Sequence, residues 1–157
     1  MTTASLSEIK KELLTVENPQ ILELCMRLAK YKKENKELLT YLLFEAHDES
    51  RYVELIKAEM DELFKELPSN TYYIKKSLRK ILRLMNRQIK YSGIKSTELE
   101  VRICFCSKIL KAGITLSEGT VLYNLYQQQV KKIMTALAAL PEDLQFDYQQ
   151  EIELITI

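Results

Sequence analysis

Five cations are the most chemically suggestive residues of this sequence. Lys76, Lys80, Arg83, Arg87 and Lys90 recur at alternating spacings of four and three within the segment Thr71 to Ser92. On a helix turning about 100° per residue they fall in one stripe, nearly opposite an apolar stripe of Ile74, Leu78, Ile81, Met85 and Ile89. No acidic residue lies between Glu66 and Glu98. A ridge of this kind suits the phosphates of a nucleic acid, an anionic membrane or an acidic protein surface. Tyr72, Tyr73 and Tyr91 would add ring faces on which single-stranded bases can stack. The competing reading is internal. The preceding segment carries Glu49, Glu54, Glu59, Asp61, Glu62 and Glu66, and its short link to the basic segment makes the two antiparallel neighbours. Acid is then expected to face base in exposed pairs worth about 0–1 kcal/mol each. On residue types alone, internal pairing ranks first, a protein partner second, and nucleic acid or membrane third.

Other reactive residue types are sparse. His47 is the single histidine, so a transition-metal site would have to recruit Glu45, Asp48 or Glu49; a solvated helix-end residue is the simpler reading. Cys104 and Cys106 are two residues apart, which turns them about 200° from one another on a helix and prevents joint chelation or a redox pair. Cys106 falls on a core stripe, Cys104 nearer the edge. With Cys25 they make an odd count without paired spacing, so no disulfide framework is expected. Glu142-Asp143 and Asp48-Glu49 sit at expected helix starts, where the dipole favours negative charge without any catalytic role. Gln129 lies inside the apolar stripe of a long helix, so its amide must find a buried partner; it would fix packing register or line a small pocket, with register the first expectation. Glu45 raises a similar question beside Leu38 and Leu42.

Long helices must position these groups. Three glycines and three prolines in 157 residues exclude glycine-rich phosphate loops and a turn-dense β fold. Ser5 with Glu8 forms a capping box for a helix to about Val16, and Asn18-Pro19 supplies the next start. Ile21, Leu24, Cys25 and Leu28 make one face there, and Lys32 to Lys36 reads as a polar link. Leu38 to Ala46 is apolar nearly all round, which predicts a helix packed on several sides. Asp48 caps a helix with the core stripe Val53, Ile56, Met60, Leu63, Phe64 and Leu67, which Pro68 ends. The basic helix stops at Gly93, Ser96 caps a helix ending at Gly113, and Ser117 opens a long helix to Pro141. A shorter helix over Glu142 to Leu154 closes the chain.

This succession predicts an all-α fold over residues 1–157, a single domain of about six to eight antiparallel helices. In element length and order it resembles α-solenoids such as HEAT and armadillo arrays, though no repeat recurs at a fixed period. A right-handed α-α superhelix is the first expectation and a closed helical bundle the alternative. The longest apolar cluster falls well short of the ~20 residues that span a bilayer. No signal-like leader is visible at Met1, and the expected location is cytosolic. No motif for a cofactor, a metal set or a catalytic group stands out. The expected function is a non-enzymatic interaction domain with a protein partner, using a charge-segregated surface. Nucleic-acid binding through Lys76, Lys80, Arg83, Arg87 and Lys90 is the alternative. An enzyme whose site is assembled from distant carboxylates and tyrosines ranks third.

Overall fold

Ser5 starts the first helix in the way its neighbours dictate. Its side chain accepts the Glu8 amide while the Glu8 carboxylate accepts the Ser5 amide at 2.7 Å, a complete capping box. The computed structural model describes all 157 residues and is entirely helical, with eight α-helices and no strand. Its contacts group into two compact units, residues 1–44 and 45–157.

The N-terminal unit holds α1 (Leu6–Leu13), α2 (Asn18–Tyr31) and α3 (Lys33–Thr40). Helix α2 starts one residue earlier than Asn18-Pro19 suggests, with Glu17 as its extended N-terminal residue and Pro19 in the first turn. The expected polar link Lys32–Lys36 shrinks to Lys32 alone, whose extended backbone breaks the helix before α3 resumes at once. Helices α2 and α3 pack on one another as a hairpin, tied by the Asn35 amide donating to the Leu28 carbonyl at 2.8 Å.

The structure overturns one expectation here. Leu38 to Ala46 is not a helix packed on several sides. It divides between the end of α3 and a π-helical turn, Tyr41–Glu45. Leu42, Leu43 and Phe44 are 56%, 63% and 62% exposed. Tyr41 is the one buried residue among the first 44. The face expected from Ile21, Leu24, Cys25 and Leu28 is likewise open, with Ile21 alone half-buried.

The larger unit is built around one helix. It comprises α4 (Glu49–Lys65), α5 (Thr71–Ser92), α6 (Lys95–Lys111), α7 (Val121–Ala138) and α8 (Glu142–Ile155), and α6 touches all four of the others. That enclosure explains its composition. Leu99, Val101, Ile103, Phe105, Cys106 and Ile109 are buried on successive faces, as a helix with neighbours on every side requires. Phe105 meets Phe64 of α4 edge-to-face, with ring centroids 5.9 Å apart. Helix α4 supplies Val53, Ile56 and Met60, and α7 supplies Leu122, Tyr126 and Ile133.

Local signals set most helix ends. Asp48 accepts the Arg51 amide at 3.1 Å, Asn70 accepts that of Tyr72 at 2.9 Å, and Gly93 takes φ 68° after α5. Two caps differ from expectation. Ile94 rather than Ser96 precedes α6, and Thr120 rather than Ser117 caps α7 through the Tyr123 amide. No helix is long and apolar enough to cross a membrane.

Candidate cationic docking surface

Helix α5 buries Leu78, Ile81, Met85 and Ile89, which fixes the direction of its opposite side. Lys76, Lys80, Arg83 and Lys90 are exposed there, while Arg87 is half-buried and stands apart from them. The expected pairing with the acidic helix does not occur at those four. The carboxylates of α4 are engaged elsewhere. Glu54 binds Lys57, Glu62 binds Lys65, and Asp61 binds Lys108 of α6. Toward α5 itself, α4 presents Glu59 to the Gln88 amide at 2.6 Å, and Glu49 accepts the Ser92 hydroxyl. At Glu59 and Glu49 the α5 donors are thus an amide and a hydroxyl, not Lys76, Lys80, Arg83 or Lys90. The physical reason is rotational: the α4 partners lie beside residues 88 and 92, on the flank of α5 away from 76, 80, 83 and 90.

Lys75 and Arg79 extend the surface beyond the five residues of the stripe. With Lys76, Arg83, Tyr72 and Val121 they line a groove of about 470 Å³ at the start of α7. Their spacing of four before Arg83 is a second cationic row that was readable in the sequence beside the first. Tyr72 and Tyr73 are exposed at the N-terminal end and pack edge-to-face at 5.3 Å. Tyr91, the third candidate for stacking, is half-buried.

A buried polar network holds this helix in place. Arg102 of α6 is 4% exposed. Its guanidinium donates to Glu98 at 2.9 Å, to Asn86 of α5 at 3.0 Å and to Gln129 of α7 at 2.7 Å. Gln129 thus has the buried partner its position demanded, and three helices are fixed in register by one side chain. Burial alone would raise the Glu98 carboxyl, but hydrogen bonds from Lys95 and Arg102 overcome it and hold the group below its usual range.

The remaining reactive residues are accounted for structurally. His47 is exposed in the turn before α4. Cys25 is exposed, Cys104 partly covered and Cys106 buried, all as free thiols. Burial raises both Cys104 and Cys106, the latter to about 12, which keeps them as thiols rather than nucleophilic thiolates.

A second polar cluster, invisible in the sequence, joins three helices. Glu100 of α6 accepts Lys57 of α4 at 3.2 Å and the Tyr148 hydroxyl of α8 at 3.0 Å. Burial would lower Lys57, but its bonds to Glu54 and Glu100 lift it above the ordinary value. Burial and the Glu100 charge push Tyr148 up to about 12. These contacts hold the lysine as an ammonium and the tyrosine as a phenol.

No known protein family, curated protein or solved structure matches the chain.

Proposed function

We propose that this chain is a non-enzymatic, cytosolic interaction protein that docks an acidic segment of a protein partner on the exposed face of α5. One observation carries the reading: Lys76, Lys80, Arg83 and Lys90 stand in solvent while the neighbouring carboxylates are spent on other partners. Lys76 and Lys90 lie fourteen helical steps apart, or about 21 Å along the axis, a length suited to a short acidic stretch. The charge is strongly segregated within a chain of net charge +1. Helix α5 bears seven cations and no acid, and α8 bears Glu142, Asp143, Asp147, Glu151 and Glu153 without a base.

Single-stranded nucleic acid is the second reading. The exposed Tyr72–Tyr73 pair beside Lys75 and Lys76 favours it, since rings next to cations offer both stacking and phosphate contacts. Fluorescence anisotropy with a labelled Asp/Glu-rich 20-residue peptide and with a 20-nucleotide single strand separates the two. Our reading expects peptide binding that weakens between about 50 and 200 mM salt and is lost in Lys80→Gln/Arg83→Gln/Lys90→Gln. Preferential binding of the oligonucleotide, lost in the same variant, would install the second reading. Indifference of both ligands to the triple change would reject the α5 surface altogether.

A further inference from the structure

Two apolar-floored grooves of this chain are lined by charges of opposite sign. The first lies in the α2–α3 hairpin, about 580 Å³ in volume, with Met26, Leu39, Leu43 and Phe44 as its apolar floor. Lys30, Lys32, Lys33 and Lys36 surround it, and Lys33 alone of these has a carboxylate partner, Glu37 at 3.5 Å. The second lies between α7 and α8, about 840 Å³, floored by Val130, Met134, Leu137, Phe146 and Ile152. Its charged lining is acidic, from Glu142 and Glu153. Phe146 is 75% exposed, and Leu43 and Phe44 on the hairpin are each more than half exposed.

We infer that the chain self-associates, the α2–α3 hairpin of one copy seating in the α7–α8 groove of another. The hairpin calls for a cover. A unit of 44 residues with one buried side chain lacks the interior that normally holds so short a segment, and oligomerisation is a standard remedy. Charge selects the partner surface. An apolar floor ringed by lysines needs an apolar surface edged with carboxylates, which the α7–α8 groove provides. The α5 face is the other cationic surface, but its exposed rings are confined to Tyr72 and Tyr73 at one end, whereas the hairpin groups Met26, Leu43 and Phe44 among its lysines, so the hairpin is the better occupant. This contact is independent of the α5 docking reading and uses none of its residues.

Light scattering coupled to size exclusion, on the full chain from about 1 to 100 μM, tests it. The expected mass rises with concentration from 18.4 kDa toward twice that value or beyond. Lys32→Glu/Lys36→Glu should shift the association midpoint at least tenfold upward, and so should Glu142→Lys/Glu153→Lys. Mixing these two charge-reversed variants should restore association between them, because the reversed hairpin then faces the reversed groove. Lys80→Gln/Arg83→Gln should leave the masses unchanged. Far-ultraviolet circular dichroism of each variant confirms that the helices persist, and all the substituted positions are exposed. A monomer at every concentration would overturn the inference. So would association that the reversals leave intact, that mixing fails to restore, or that the α5 substitutions abolish.

Discussion

Arg102→Met is the most demanding test of how α5 is held. The guanidinium is 4% exposed and serves Glu98, Asn86 and Gln129 together. Methionine fills the stem's volume and removes every donor. Breaking a buried ion pair by deleting one member costs about 3–5 kcal/mol, because the surviving charge is left without compensation. Glu98 retains Lys95 at 3.1 Å, so the lower end of that range applies to it. Asn86 is half-buried and can turn to water, but Gln129 is 3% exposed and cannot. Its orphaned amide oxygen adds about 1 kcal/mol, partly shared with the Glu98 loss since the groups relax together. The expected total is about 3–4 kcal/mol. With a urea slope of roughly 1–3 kcal/mol/M, the midpoint should fall by about one to four molar. Arg102→Lys should lie between, since one ammonium keeps the charge but cannot reach three acceptors. A loss below about 1 kcal/mol in Arg102→Met would refute the claim that this side chain pins α5, α6 and α7.

The other expectations concern charge, thiols and pH. Replacing Lys76, Lys80, Arg83 and Lys90 together by glutamine should leave stability unchanged or raise it by up to about 1 kcal/mol at low salt, because like charges three and four apart repel; a clear loss in thermal melts would expose an internal carboxylate partner. Cys106→Asp should cost several kcal/mol by placing an unpaired charge in the core, whereas reductant should leave the melting temperature of the native chain unchanged. Cys106 and Tyr148 have folded values raised to about 12, above their ordinary 9.0 and 10.0. The unfolded chain therefore releases these protons first, so their contribution should be constant below about pH 9 and decline from there toward 12. In the tyrosinate absorbance of the folded protein, Tyr148→Phe should remove a late-titrating step. At the acid end, the depressed Glu98 carboxyl contributes stability that is lost as pH falls below its ordinary 4.5, a loss that Glu98→Gln should diminish.

Helix periodicity made the larger unit legible from its residues. The 22-residue α5 runs from Thr71 to Ser92 as its pattern predicts, because a strict apolar stripe and a left-handed glycine agree, and Asn70 caps its start. Gln129 was readable as a buried amide, yet Arg102 was not readable as its partner. Nothing in local spacing says that an arginine on α6 points inward between α5 and α7. The Lys57–Glu100–Tyr148 cluster was hidden for the same reason, since residues 57, 100 and 148 meet only through tertiary packing. Caps at Ile94 and Thr120 were missed because Ser96 and Ser117 are equally good capping types a few residues away.

Two surfaces of the molecule run opposite to what their residue types lead one to expect. Leu42, Leu43 and Phe44 have the composition of a core and lie open, and Lys76, Lys80, Arg83 and Lys90 have acidic neighbours in sequence yet stand exposed while those carboxylates pair elsewhere. In each case an ordinary intramolecular solution was at hand. A folded chain normally buries a run of large apolar residues, and neighbouring helices of opposite charge normally pair. A sequence that declines both solutions forgoes apolar burial on the hairpin and accepts like-charge repulsion along α5. Departures of that kind concentrate where a surface has work outside its own chain. The two departures also differ in chemistry. The hairpin offers greasy area with a cationic edge, suited to a lasting contact, while α5 offers charge on a stiff helix, suited to fast, salt-sensitive encounter. The arrangement is consistent with one surface that assembles the protein and another that recruits its partner.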